Sequence, residues 1–153
     1  RRRTTSTIVM KNLLHEWKRF INETVVTVDF DDTLKFKDSH TANPIIVNKI
    51  KKLINKGHTI HVVSSRKPGE VLDKRQEYSD AYEEMEDFLI SNELRIEKIH
   101  LTSWGDKGKI ISNLESVMHF DDSERVWREL EDYPNVKLIK VDPNSGKVIK
   151  DEY

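Results

Sequence analysis

The chain has no cysteine, which removes a disulfide framework, a thiolate zinc site and a cysteine nucleophile together. Nothing in its chemistry therefore depends on a redox compartment. It also has no surplus of either charge. A formal net charge of −1, made of thoroughly mixed signs, excludes both a basic nucleic-acid-coating protein and a disordered acidic tail. Any charged partner must be met by a local patch. Long apolar runs are lacking too, since the longest are only a handful of residues. The basic opening RRRTTSTIVM has neither the apolar core nor the small-residue cleavage site of a secretory signal. A soluble, cytoplasmic protein without membrane contact is expected. Met10 is readable as an initiator, with Arg1 to Val9 then either appended residues or a basic arm.

What is present is enough for one domain: 153 residues, 36% hydrophobic and 35% charged, can bury a single core. From Met10, MKNLLHEWKRFINE spaces Leu13, Leu14, Trp17, Phe20 and Ile21 on one helical stripe. Residues 1–23 are therefore expected to form a basic arm and an amphipathic helix, packed on the domain of residues 24–153 or docking a partner or a second copy. TVVTVDF is a near-continuous β-branched run, the mark of a strand covered on both faces. NPIIVNKIKKLINKG carries an Asn43 cap, Pro44 in the first turn, apolar Ile46, Ile50, Leu53 and Ile54, and a terminating Gly57.

HTIHVV predicts a second strand, and the stretch from about Lys74 to Asn92 a long helix. Its buried side would be marked by Tyr78, Tyr82, Met85, Phe88 and Leu89, its acidic side by solvent. IEKIHL, SVMHF and VKLIKV predict three more strands, with short helices at DKGKIISNL and SERVWRELE. The alternation implies an α/β fold, a Rossmann-like three-layer sandwich around a mainly parallel sheet of about five strands. In such sheets ligands bind where the strands end.

Those ends carry Asp29, Asp31, Asp32 and Thr33 after the first strand, Ser64, Ser65 and Arg66 after the second, and Asp121 and Asp122 after the fourth. Each cluster alone has a plain explanation as helix caps or turn formers. Brought to one sheet edge, however, the carboxylates repel one another unless a cation or a proton sits among them. An oxygen-only donor set suits Mg²⁺. A calcium loop counted from Asp29 fails, because its sixth and twelfth positions hold Leu34 and His40 instead of glycine and glutamate. The six histidines form no ordered pair at ligand spacing; His58, His61 and His119 are expected to pack or lie at the surface.

Asp29-Phe30-Asp31-Asp32-Thr33-Leu34 resembles the D-x-D-x-T-L signature of the haloacid dehalogenase superfamily of phosphotransferases. Ser64, Lys107 before a short helix, and Asp121-Asp122 follow in the order that family shows, so the resemblance covers about residues 24 to 142. It implies a phosphatase in which Asp29 attacks phosphorus and forms an aspartyl-phosphate, while Asp31 protonates the leaving oxygen and then activates water. It further implies Ser64 on a phosphate oxygen, Lys107 or Lys109 neutralising the shared charge, and Mg²⁺ held by Asp29, Asp31, Asp121 and Asp122. Lys107 is preferred for its place at the helix start. Asp121 is preferred as the remaining metal ligand, with Asp122 sharing the role, orienting water or capping the next helix. Asp32 stands where many members have glycine, and Thr33 is read as a turn-fixing hydroxyl.

Leu34 to Asn43 leaves room only for a loop, and Arg66 to Lys107 at most for a small helical lid, so little or no cap is expected. An open site suits a nucleotide, a nucleic-acid end or a phosphoprotein. Lys35, Lys37, Arg66 and Lys67 are candidates for further phosphate contacts, with Thr33, Ser65, Arg66 and Lys109 as substrate-binding candidates and Trp104 as a base-stacking one. VVSSR and HFDDSERVW also resemble the 3′-phosphatase domain of phage polynucleotide kinase and small deoxynucleotidases, and KNLLHEWKRFI resembles a phage-like opening. These resemblances imply a phosphomonoesterase acting on nucleotides or 3′-phosphate ends. The alternatives are a protein phosphatase of the same superfamily, and a non-catalytic phosphate-binding or scaffold module.

Overall fold

A computed structural model describes residues 24–36 and 39–150. The amphipathic helix expected before residue 24, with Leu13, Leu14, Trp17, Phe20 and Ile21, lies outside the described residues, as does Lys37. Five strands alternate with helices: β1 (Val25–Val28), α1 (Pro44–Asn55), β2 (Thr59–Ser64), α2 (Ala81–Ser91), β3 (Lys98–Leu101), α3 (Lys107–Asn113), β4 (Ser116–Asp121), α4 (Glu124–Glu129) and β5 (Lys137–Lys140). A 3₁₀ turn, Leu130–Asp132, extends α4. The strands form one parallel sheet in the order β3-β2-β1-β4-β5, which is the expected α/β class.

β1 sits at the centre because its β-branched residues suit a strand covered on both faces. Val26 and Val28 pack with Ile60, Val62 and Phe120 beneath Ile46 and Ile50 of α1 and Met85 and Leu89 of α2. On the opposite face Val63 packs with Ile111, Val126, Leu130 and Val136. Full burial of each such side chain stabilises the fold by roughly 1.5–3 kcal/mol. Thr27 and His119 are register partners on this second face, where strand alternation would otherwise place apolar residues.

α1 starts as its caps predict. Asn43 Oδ1 accepts the backbone N–H of Ile45 at 3.1 Å, Pro44 opens the first turn, and the chain leaves through Gly57 at φ 96°. The Asn43 amide also donates to the carbonyls of Thr33 and Gly146, at 3.1 and 3.0 Å, tying the turn after β1 to the far end of the chain.

The helix expected from about Lys74 begins only at Ala81, so the sequence reading is corrected there. Glu84 does not face solvent but turns inward, and its Oε1 accepts the backbone N–H groups of Leu72 and Asp73 at 2.7 and 3.0 Å. Asp73 takes the N–H of Arg75 at 2.9 Å, so carboxylates consume the donors that a helix would have used. Asp80 then caps α2 on the N–H of Glu83. Of the expected buried side, Met85 and Leu89 are buried, while Tyr82 lies at the surface and Tyr78 precedes the helix.

The order of strands reverses beside β1: the chain moves from β1 through β2 to β3 on one side, then crosses to β4 on the other. The crevice between the carboxyl ends of β1 and β4 is where such a sheet opens to a ligand. Among the described residues no helix is long and apolar enough to cross a membrane.

Candidate active site

Asp29 and Asp121 meet at this crevice because their strands are paired. The backbone N–H of Asp29 donates to the carbonyl of Phe120 at 2.9 Å, one step beyond the Val28–Phe120 register pair. The chain then coils tightly, with the N–H groups of Leu34 and Lys35 both donating to the carbonyl of Phe30. The coil needs one left-handed residue, which is Asp32 at φ 63°. Aspartate tolerates that region better than most side chains, so it can stand where a glycine would also serve.

Lys107 is the first residue of α3, after Asp106 caps it by accepting the N–H of Lys109 at 3.1 Å. Gly108 lets that helix start close to the next one: a Cβ there would lie 3.1 Å from both the carbonyl of Glu129 and the Tyr133 ring. Lys107 is only 1% exposed, and its Nζ donates to Asp29 Oδ1 at 2.7 Å and to Asp121 Oδ2 at 3.0 Å. Lys109 lies at the surface, its side chain away from this cluster.

Asp29, Asp121 and Asp122 present oxygens within 4.8 Å of one another. Asp121 is enclosed: Oδ2 also meets His119 Nε2 at 2.8 Å, and Oδ1 accepts the N–H of Ser123 at 3.0 Å. Asp122 faces the cleft and takes Thr33 Oγ1 at 3.2 Å; the same hydroxyl is 3.3 Å from Asp29 Oδ2.

Crowding shows in the titration of these groups. Burial, then the charge of Asp121, hold the Asp29 carboxyl well above its ordinary range against the pull of Lys107. Burial lifts Asp122 to about 6. For Asp121, burial also pushes upward, but Lys107 and the His119 bond prevail and leave it at about 2. Burial opposes the charge on Lys107, yet Asp121 and Asp29 raise it overall. One ammonium thus faces three carboxylates, which leaves the cluster with an excess of negative charge.

Asp31 does not join this group. Arg66 holds its carboxylate by two hydrogen bonds of 2.7 Å, and Lys35 Nζ lies 3.5 Å from Oδ1. Asp31, expected as a fourth metal ligand, stands apart from the other three carboxylates, drawn toward two cations on the cleft wall. Arg66 is 2% exposed and continues to Glu84, with Nη1 to Oε2 at 2.7 Å, while its guanidinium lies 5.5 Å from the Phe30 ring centre. Ser64 Oγ, at the end of β2, accepts the N–H of Arg66 at 3.2 Å and keeps its own hydrogen for another acceptor. The Ser65 hydroxyl takes Arg125 Nη2 at 3.0 Å.

A cleft of about 600 Å³ opens above these groups, lined by Asp29, Asp31, Ser64, Arg66, Trp104 and Arg125 among others. Trp104 is 58% exposed at its mouth, and its indole N–H donates to Glu70 Oε1 at 3.2 Å. Ser103 and Trp104 both have positive φ, 51° and 64°, held by backbone bonds to Arg66 and Ser65. Lys67 is exposed on the neighbouring loop, which carries no helical lid between Arg66 and Asp80.

Three participants were not read from the sequence. His119 and Asp121 share one face of β4 through their i, i+2 spacing, which is a legible signal. Arg125 is one turn past Asp122 on a helix start. Glu84 gave no signal, because an inward glutamate looks like its solvated neighbours.

No family model and no curated protein matches the sequence. Among solved structures, the D,D-heptose 1.7-bisphosphate phosphatase of B. bronchiseptica, complexed with magnesium and phosphate, is similar at 12% identity and a TM-score of 0.54. The match covers 80% of this chain and 83% of that one. At that identity the likeness is one of fold. The universal stress protein of Archaeoglobus fulgidus overlaps at 16% identity, with TM-score 0.44 over 76% of this chain and 93% of that one. Its dAMP complex gives 17%, 0.43, 76% and 98%. Nothing further rests on these two weaker overlaps.

Proposed function

We propose that the chain is a Mg²⁺-dependent phosphomonoesterase of the haloacid dehalogenase type, acting on nucleotides or on nucleic-acid 3′-phosphate ends. The observation that carries the reading is Lys107 Nζ placed between Asp29 and Asp121, with Asp122 beside them on the cleft. A binding module needs a cation for phosphate, but it has no use for a buried carboxylate at the point where phosphate would sit.

The donor set fits Mg²⁺: hard oxygens, a net negative site and open cleft space for water and phosphate. Asp29 and Asp122 would hold the ion from the cleft side, with Asp121 behind them. When bound, it supplies charge screening between the nucleophile and an incoming anion.

Asp29 Oδ2, the oxygen that Lys107 leaves free, attacks phosphorus as the bond to the leaving oxygen breaks. That oxygen takes its proton from Asp31, which must first turn away from Arg66 and take the proton up from solvent. In the second half Asp31 takes a proton from water, the water oxygen bonds to phosphorus, and Asp29 is released with inorganic phosphate. Held by Arg66, Asp31 is organised as the carboxylate that this second half requires. The Ser64 hydroxyl donates to a phosphate oxygen, and Lys107 neutralises charge spread over nucleophile and phosphoryl group.

The substrate assignment is supported by the cleft lining, where an exposed indole and Arg125 share the cleft with Asp29 and Ser64. An aromatic platform beside cations is a common way to hold a base and its backbone. The test is phosphate release, with and without Mg²⁺, from nucleoside monophosphates, 3′-phosphorylated oligonucleotides and a phosphopeptide, beside Asp29→Asn. Release from the first two, lost in the variant, supports the proposal. Hydrolysis of the phosphopeptide alone makes the substrate reading wrong, and no turnover on any ester makes the enzyme reading wrong.

A further inference from the structure

His119 is fully buried on β4, yet the place it fills asks for an apolar side chain. Both ring nitrogens are engaged. Nε2 is 2.8 Å from Asp121 Oδ2 and Nδ1 is 2.7 Å from Thr27 Oγ1. Ser116 Oγ, 2.9 Å from Thr27 Oγ1 and 2.8 Å from the carbonyl of Met118, closes the chain. The carboxylate at Nε2 requires a hydrogen there, so Nδ1 accepts from the Thr27 hydroxyl. Such a polar string inside a sheet is poorly explained by stability, because apolar residues of similar shape serve as well or better.

Its geometry leads elsewhere. Asp121 Oδ2 accepts from two donors at once, the imidazole and the Lys107 ammonium, and that ammonium also reaches Asp29 Oδ1. The imidazole thereby limits how Asp121 can turn. Without it, Asp121 Oδ2 keeps only Lys107, and the carboxylate, tied at Oδ1 to the Ser123 N–H alone, can swing about that anchor and draw the ammonium away from Asp29. Thr27 in turn fixes the ring, since the hydroxyl at Nδ1 excludes a flipped imidazole.

We infer that His119 is a positioning residue: through Asp121 it aims the Lys107 ammonium at Asp29, and Thr27 and Ser116 hold its ring in the required orientation. The inference deepens the phosphomonoesterase reading and rests on it for its kinetic consequence. Outer partners of this kind, when removed, typically lower activity about 10- to 100-fold.

Three variants separate this role from packing. His119→Gln keeps an amide N–H near the position of Nε2, His119→Asn keeps one only near Nδ1, and His119→Leu keeps neither. With p-nitrophenyl phosphate at saturating Mg²⁺, kcat is expected to fall about 10- to 100-fold in the Leu and Asn variants with KM within twofold. The Gln variant should recover most of it, with melting temperatures followed throughout. Equal losses in Gln and Asn, or an undiminished Leu variant, overturn the inference. If Leu does not fold, the Gln and Asn pair decides. If the wild type shows no turnover on any phosphomonoester, the phosphomonoesterase reading falls, and the positioning claim is judged on the ¹⁵N resonance of the Lys107 ammonium. Protection from exchange in the wild type and Gln variant but not in Asn supports it; equal protection in all refutes it.

Discussion

Arg66 grips Asp31 through both oxygens, Nε to Oδ2 and Nη2 to Oδ1, each at 2.7 Å, and it does so from a position 2% exposed. The same guanidinium meets Glu84, so one buried cation joins the coil after β1 to helix α2. Arg66→Ala should therefore fail twice. Stability should drop by about 3–5 kcal/mol, because Glu84 is left buried without its partner. Turnover should also fall, and by a similar factor for an alkyl phosphate and for p-nitrophenyl phosphate, because the water-attack half in which Arg66 holds Asp31 as a base is common to both. Urea denaturation reads the first effect. The kcat values of the two substrates read the second, and undiminished values would detach the Arg66–Asp31 pair from that half.

The two lysines near the start of α3 should behave oppositely. Lys107→Met removes the only ammonium bonded to Asp29 and Asp121 among the described residues, and is expected to cut kcat about 10²- to 10³-fold. Lys109→Met, at the surface, should stay within twofold. Steady-state kinetics on one substrate suffices, and the reverse pattern would assign the role to Lys109.

Asp122 carries a pH signature. Its folded-state pKa of about 6 stands above the ordinary 3.8, so the folded protein binds a proton more firmly than the unfolded chain between those values. Stability is favoured below that window and is lost as pH rises through 6. Asp122→Asn removes the charge, and its gain over the wild type should be largest above pH 6 and fade toward pH 4. Allowing for the solvent that reaches this half-buried group, the gain is on the order of 1 kcal/mol. Millimolar Mg²⁺ should raise the melting temperature of the wild type and leave the variant almost unmoved. A wild type indifferent to Mg²⁺ would remove Asp122 from the ion's ligands.

Trp104 should decide substrate choice and little else. Trp104→Ala is expected to raise KM for a 3′-phosphorylated oligonucleotide about 5- to 150-fold, the equivalent of one lost base stack. Turnover of glycerol phosphate should change less than twofold. Since the indole is 58% exposed and its backbone sits at φ 64°, the melting temperature should not fall. Equal effects on both substrates would remove the indole from base recognition.

The elements legible in the sequence were those with local signals. The β-branched run of β1 and the Asn43-Pro44 start of α1 each report their own conformation. The strand-end carboxylates were legible because a parallel sheet gathers its strand ends whatever their order. What could not be read depended on partners far away in sequence. Glu84 faces inward only because Arg66 and the N–H groups of Leu72 and Asp73 wait there, and that inward turn delays α2 to Ala81. Asp31 likewise faces Arg66, 35 positions later, so its carboxylate leaves the cluster that spacing alone would give it. The order β3-β2-β1-β4-β5 has no local signature either, and it decides which strand ends become neighbours.

The place of β1 in that order has a bearing on synthesis. Strands β2 and β3 leave the ribosome next and can pair on one side of it, but β4, its other neighbour, follows only at Ser116. Until then a β-branched strand stands as an open edge, with Asp29 unmatched because Lys107 has scarcely emerged. A nascent or truncated chain in this interval should be the form that chaperones hold and that aggregates. The pairing of β4 with β1 and the neutralisation of Asp29 by Lys107 are then nearly one event.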